Sequence, residues 1–311
     1  MVNVGTLPKA YIMKIVITGS LGHISKPLAQ ELVQKAHSVT VISHDANRQK
    51  DIEAIGAAAA IGSLEDAGFL TRTFAGADAV YTMIPPGNYF DHNFDLGEHY
   101  RITTGNYVEA IRQSGVKRAV HLSSVGAHME KDSGLILFHH EAEKILGKLP
   151  DDISITFMRP VGFYYNLYGF MNVIKKQGVI AANYGADDRI VWVSPKDIAA
   201  AVAEELQTGS TGRNIRYVAS DELTGNETAS ILGAAIGQPE LKWKLIPDEQ
   251  MQAGLEMAGM HPGIVASMVE MYSSMHRGEL GADYDRHRPA VMGNVKMADF
   301  AKEFAAAFRQ Q

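Results

Sequence analysis

From Thr18 to Ser25 the chain reads Thr-Gly-Ser-Leu-Gly-His-Ile-Ser, directly after the β-branched run Lys14-Ile15-Val16-Ile17. Glycine at 19 lets a chain turn sharply off a strand, and glycine at 22 lets the backbone approach a bulky anion with no Cβ in the way. A helix expected at once, Pro27 to Lys35, offers unpaired N–H groups and a partial positive charge at its start. Together these features suit the pyrophosphate of a dinucleotide, so Gly19, Ser20, Leu21, Gly22, His23 and Ile24 are the expected cradle. A lone glycine-rich turn is an ordinary loop; the strand before it and the helix and second strand after it set this one apart.

His139 is the one catalytic candidate, because an imidazole titrates near neutral pH and this one would stand at the mouth of the site. A structural role against the cofactor ribose is equally open. The run His139-His140-Glu141 does not read as a zinc helix, since position 144 is lysine and no second pair joins His139 and Glu143, so no metal is expected. Ser123 and Ser124 lack an evident base and acidic partner, which argues against hydrolysis through a serine nucleophile.

Such residues need a scaffold that gathers strand ends at one edge. Strands at Ser38 to Ser43, Ala57 to Ile61, Ala79 to Ile84, Arg118 to Leu122 and Ile153 to Met158 alternate with helical stretches at Asn47 to Ile55, Leu64 to Phe74, Asp95 to Gln113 and Leu135 to Lys148. This alternation predicts an α/β fold, a Rossmann-type, doubly wound parallel sheet buried on both faces. Gly76 and Gly115 sit at helix-to-strand turns, where a helix end favours glycine. Residues 13–160 would form the dinucleotide-binding domain, with later strands near 190–193 and 214–218 extending its sheet.

Residues 161–311 are expected to form mainly a smaller, mostly helical substrate-binding lobe. It opens on the aromatic run Phe163-Tyr164-Tyr165-Asn166-Leu167-Tyr168 and contains a helix from Ser194 to Leu206. Thr224 with Glu227 forms a capping box for a helix to Ile236, and Asp248 to His276 is helical and rich in methionine. The lobe should pack over the strand C-termini and hold the substrate in the cleft between. Residues 1–12, ahead of Met13, are set aside as an upstream start or an expression remnant.

Bulk composition narrows the partners. The 311 residues suffice for one large or two modest domains. A net charge of −6 gives no basic footprint, so nucleic acid is not an expected partner. Without cysteine there is no disulfide, no thiolate nucleophile and no cysteine-bound metal centre. No apolar run reaches the length of a membrane span, so no membrane partner is expected; cytoplasmic residence fits but does not follow. The expected partner is a small-molecule substrate, and the oligomeric state is left open, a homodimer included.

Six landmarks carry a family resemblance. They are TGSLG (18–22), GADAVYTMIPP (76–86), GVKRAVHLSS (115–124), HHEAEKIL (139–146), MRPVGFYYN (158–166) and WVSPKDIA (192–199). In this order and spacing the chain from Met13 resembles the NmrA-like branch of the atypical short-chain dehydrogenases and reductases. Bacterial quinone reductases and triphenylmethane reductase look nearest, isoflavone reductases and the NmrA regulator more distant. Ser25 departs from the pattern, which has a third glycine there for close helix-on-strand packing; a small shift should accommodate it.

The resemblance implies a nicotinamide cofactor, and the residues after the second strand decide which. NAD enzymes commonly present a carboxylate to the ribose diol there, NADP enzymes a cation to the 2′-phosphate. Ser43, His44 and Arg48 are potential phosphate donors, with Lys50 adding charge at longer range, which favours NADP as NADPH. Similar chains often carry arginine at the position of His44, and Asp45 could instead face a ribose, so NAD stays open; Arg48 and Lys50 also read as a solvated helix face. Ile84, Pro85 and Ser123 end successive strands at one edge and should flank the ribose and nicotinamide. Similar chains suggest that Met158 to Phe163, including Pro160 and Phe163, pass beneath the nicotinamide.

The resemblance stops short of the usual chemistry. Familiar short-chain dehydrogenases protonate an alkoxide with a tyrosine and a lysine; here those positions fall on Leu135 and His139. Leucine donates no proton, so ketone reduction and sugar epimerisation lose their acid. Quinone reduction asks less, because its product is a phenol with a pKa of about 10 that water or a nearby imidazole can protonate. Phe163, Tyr164, Tyr165 and Tyr168 offer flat walls for an electron-poor ring, or are ordinary core. The expected function is NADPH-dependent hydride delivery to a quinone-like or other conjugated, electron-poor molecule. The alternative is a non-catalytic, NmrA-type redox sensor that binds oxidised and reduced dinucleotide differently.

Overall fold

The computed structural model describes residues 11–310; residues 1–10, most of the segment set aside above, lie outside them. The first half alternates strictly: β1 (Lys14–Ile17), α1 (Ser25–Gln34), β2 (Ser38–Ser43), α2 (Gln49–Ala54), β3 (Ala58–Ile61), α3 (Ala67–Phe74), β4 (Ala79–Thr82), α4 (Leu96–Ser114), β5 (Arg118–Leu122), α5 (Leu137–Leu146) and β6 (Ser154–Pro160). Local chemistry sets the ends. Asp66 accepts from the Phe69 amide and Asp95 from the Glu98 amide, which start α3 and α4, and Gly115 at φ +81° stops α4.

The second half is less regular: β7 (Gly162–Phe163), α6 (Met171–Gln177), β8 (Val179–Ala182), β9 (Arg189–Val193), α7 (Pro195–Gln207), β10 (Arg213–Val218), β11 (Asp221–Thr224), α8 (Gly225–Ile236), β12 (Lys242–Leu245), α9 (Asp248–Met257), α10 (Pro262–His276), α11 (Ala282–Arg286) and α12 (Met297–Gln310). The Thr224–Glu227 capping box is present at the start of α8.

Seven strands form one sheet in the order β10-β6-β5-β4-β1-β2-β3, every neighbouring pair parallel. Side chains alternate across it as strand geometry requires. Ile15, Ile17 and Val41 pack with Leu28 and Leu32 of α1 and Ile198 and Val202 of α7. Val16, Ile42 and Val80 pack on the opposite face with Phe74 of α3, Tyr107 and Ile111 of α4 and Leu146 of α5. Helices therefore cover both faces, the expected doubly wound arrangement.

One expected strand lies elsewhere. Ile190 to Val193, anticipated in the main sheet, falls within β9, which pairs antiparallel with β11 and parallel with β7 in a separate three-stranded sheet. The edge beside β6 is taken instead by β10, which carries the anticipated 214–218 stretch. The methionine-rich stretch also differs: Met257 closes α9, Gly259 adopts φ +84°, and Pro262 opens α10, so a corner replaces one long helix. A third core, with Tyr164, Trp192, Trp243, Phe300 and Phe304, underlies this half. Among the described residues no helix is long and apolar enough to cross a membrane.

Candidate active site

β1 ends against its neighbours at the point where the strand order reverses, between β1 and β4. There Gly19 turns at φ +90°, and a Cβ on it would lie 2.6 Å from the Ser25 hydroxyl oxygen and 3.1 Å from the Met83 side chain. Ser20 is also left-handed, at φ +53°, with its hydroxyl 3.0 Å from that of Ser43. Gly22 donates to the Gly19 carbonyl at 3.1 Å, and a Cβ at 22 would crowd that same oxygen. Among the described residues no carbonyl or side chain accepts from the amides of His23, Ile24 and Ser25, which open α1. Ser25, the departure from the three-glycine pattern, donates its buried hydroxyl to the Thr18 carbonyl at 2.8 Å. That bond ties helix to strand, so the serine is accommodated.

A cavity of about 1230 Å³ opens from this turn. It runs along the C-terminal ends of the strands, past Ile42 to His44, Met83 to Pro86 and Leu122 to Val125, and reaches Tyr184, Met268, Met271, Tyr272 and Met275 on the other side. Its size exceeds that of a site for one drug-sized ligand, leaving room for a dinucleotide and a second molecule. His23 and Tyr165, both in its lining, stack with ring centroids 4.7 Å apart, and Phe163 lies 5.1 Å from Tyr165.

Most of the residues singled out from the sequence meet here. Gly19, Ser20, Gly22, His23, Ile24, Ser43, His44, Ile84, Pro85, Ser123, His139 and Phe163 all line the cavity. Three do not. Leu21 turns inward and packs on the core beneath the sheet. Pro160 is buried, and its carbonyl accepts from the Val125 amide at 2.9 Å, so it braces the loop rather than facing the cavity. Arg48 lies outside the lining, about half exposed, 3.5 Å from Asp51 and 4.0 Å from Asp45. Exposed pairs of this kind contribute about 0–1 kcal/mol, so they hold Arg48 only weakly.

Ser123 is committed elsewhere, because its hydroxyl donates to Glu143 at 2.5 Å. Glu143 also takes a bidentate grip from Arg159, at 2.6 and 2.9 Å, and Arg159 continues to Asp283 at 3.2 Å. Tyr217 donates to Asp283 at 2.5 Å. This buried network joins α5, β6, β10 and α11 beneath the cavity. It removes Glu143 as a metal ligand, and among the described residues no cluster of three or more His, Asp or Glu side chains could hold a metal.

His139 lines the cavity but is buried, and it does not titrate as the sequence suggests. Burial pulls its pKa down from 6.5 to about 4, so the ring is neutral at physiological pH. Its Nε2 lies 3.2 Å from the Tyr100 hydroxyl, while Nδ1 is buried without a partner among the described residues. Tyr100 lines the same cavity, with Thr103 one turn further along α4. Neither α4 residue was visible as a site residue in the sequence. Their approach to α5 is a packing event between segments 39 residues apart, with no local motif to mark it.

The strand order and the glycine turn at its reversal define a Rossmann-type protein. A sequence profile of the NmrA-like family matches residues 12–300, and the chain belongs to that family. An NAD(P)H azoreductase of Xenophilus azovorans is 25% identical over 297 residues, covering 94% of this chain and 99% of the relative. The triphenylmethane reductase of Citrobacter sp., solved with NADP(H), superposes with a TM-score of 0.77 at 20% identity, over 94% of this chain and 99% of that one. An NADPH-dependent quinone oxidoreductase of Escherichia coli, solved with NADPH, gives a TM-score of 0.73 at 19% identity, over 93% and 99%. Likeness at these identities to the two solved structures establishes a shared fold.

Proposed function

We propose that this protein is an NADPH-dependent reductase that passes hydride to a quinone or a similar conjugated, electron-poor small molecule. The observation that carries the reading is the single cavity joining the glycine turn to an aromatic and methionine wall. The names of the azoreductase, the triphenylmethane reductase and the quinone oxidoreductase support it.

The residues at the turn fit a dinucleotide. A pyrophosphate would rest against the free amides of His23, Ile24 and Ser25, where glycine at 19 keeps the backbone accessible. Ser43, His44 and Arg48 would take the 2′-phosphate, the arginine exchanging weak carboxylate contacts for a dianion. Asp45 is occupied in capping the turn at Asn47, at 2.9 Å, which leaves it a poorer partner for a bare ribose and favours NADPH over NADH. Bound there, the cofactor supplies a hydride at its nicotinamide. Pro85, Ser123 and Phe163 would border that ring, and the methionines of α10 would adapt to acceptors of differing outline. No metal and no flavin enters this scheme.

The test is a panel of quinones, azo dyes and triarylmethane dyes with NADPH, followed at the nicotinamide absorbance. Turnover with at least one class is expected. No turnover with any, together with unequal affinities for NADP⁺ and NADPH, would instead identify a non-catalytic redox sensor.

A further inference from the structure

Leu135 and His139 occupy the positions that in similar chains hold a phenol and an ammonium, and both line the cavity. A phenol reaches the same place from another helix. Tyr100 of α4 stands edge-on to His139, ring centroids 5.3 Å apart, and its hydroxyl meets Nε2 at 3.2 Å. The tautomer follows from the other ring nitrogen, which is buried and unpartnered among the described residues. An orphaned N–H costs more than an orphaned lone pair. The assignment that leaves no orphaned N–H puts the proton on Nε2, where it is donated to the Tyr100 oxygen and leaves the phenol's own O–H free to donate toward the cavity that Tyr100 lines.

We propose that the Tyr100 hydroxyl donates to the oxygen of the acceptor on which negative charge develops, with His139 as its positioning residue. This rests on the reductase reading above. The acceptor gains the hydride and its two electrons from NADPH, which leaves as NADP⁺; charge collects on the acceptor oxygen, and a proton from water completes the hydroquinone. Burial holds the Tyr100 phenol well above its ordinary 10, so it stays protonated and serves as a hydrogen-bond donor rather than as the acid. Thr103, one turn along α4, also lines the cavity, and its buried hydroxyl is likewise unpartnered among the described residues.

Two acceptors separate this role from a merely structural one. A quinone becomes an oxyanion on taking hydride and needs a donor; a triarylmethyl cation becomes a neutral hydrocarbon and needs none. Tyr100→Phe is expected to lower kcat for the quinone by about 10–100-fold. Turnover of the cationic dye should change by less than about twofold, the size of a lost hydrogen bond being irrelevant to a step that develops no anion. In the NADP⁺-saturated protein, 4-nitrophenol should bind ionised to the wild type, with its phenolate absorbance, and more weakly to the variant. His139→Leu should reproduce the quinone defect and His139→Gln, which keeps an N–H donor, should recover most of it; this pair decides the matter should Tyr100→Phe fail to fold. Unchanged quinone turnover in Tyr100→Phe, or equal losses with both acceptors, would overturn the proposal. Wild-type protein that reduces neither of these acceptors nor an azo dye would overturn the reductase reading instead, and the nitrophenol titration would still report on the donor.

Discussion

Single residues at the glycine turn work by what they lack. Gly19→Ala would place a methyl 2.6 Å from the Ser25 oxygen and hold an L-residue at φ +90°, a conformation that costs about 1–2 kcal/mol before the clash is counted. The turn must open, so the Kd for NADPH should rise by about tenfold or more, measured by quenching of protein fluorescence. The pair His44→Glu with Arg48→Ala removes two donors from the anticipated phosphate site without touching the turn. It should weaken NADPH by about tenfold or more while leaving NADH nearly unchanged; equal NADPH affinity would show that the phosphate lies elsewhere. At this scale the sequence was legible wherever a residue's role is local. Glycine in a turn and proline after a strand act through their own geometry, whereas Tyr100 and Arg159 acquire roles only from partners that packing brings to them, as does the Ser25 hydroxyl, which the sequence marked only as a departure from glycine.

Elements carry the cavity's shape, and the contact that fixes its far wall is unusually close. Gly134, at φ +55° in the 3-10 turn before α5, lies so near α10 that a Cβ would meet the Ser267 carbonyl at 1.9 Å. Gly134→Ala must push α10 outward, with Met268 and Met271 on it. Overpacking of this kind costs about 1–3 kcal/mol, visible as a lower Tm. The KM for the acceptor should change while the Kd for NADPH stays near wild type, because none of the anticipated cofactor contacts lies on α10. The alternation of strands and helices that builds the sheet was readable because apolar runs, caps and turns are written locally. Partner choice among strands is not: Ile190 to Val193 has the composition of a buried strand, and nothing local in it says that β9 pairs with β7 and β11 while β10 takes the edge of β6. The Arg159–Glu143–Asp283 network was likewise silent. Its one sequence signal was an arginine inside the apolar strand β6, a placement that requires a buried carboxylate nearby.

For the molecule as a whole, the choice to bury imidazoles makes stability depend on pH in a defined direction. His121 is fully buried, with Nδ1 2.9 Å from the Thr82 hydroxyl. Burial, helped by His139, pulls its pKa from 6.5 to about 3, and burial alone takes His139 to about 4. Between pH 6.5 and 5 the unfolded chain binds protons at both positions and the folded chain does not. Stability therefore falls as pH falls through that window, by about 1.4 kcal/mol per unit for each group once its unfolded form is mostly charged. Carboxylates do not confuse the reading. Burial raises the pKa of Glu205, but hydrogen bonds from Thr156, Ser210 and Arg216 outweigh it; Asp283 is likewise held low by Tyr217 and nearby cations. Groups lowered in this way add stability that is complete above their ordinary range near 4 and is lost only as pH falls below it. Urea unfolding at pH 7 and pH 5 should accordingly differ by about 2–4 kcal/mol for the two rings together. His121→Gln should remove about half of what these two rings contribute; His128, also lowered by burial, adds in the same direction and is untouched by the substitution. A wild-type stability unchanged over this interval would mean that both rings take protons without unfolding, and with that the neutral His139 on which the orientation of Tyr100 depends would fail as well.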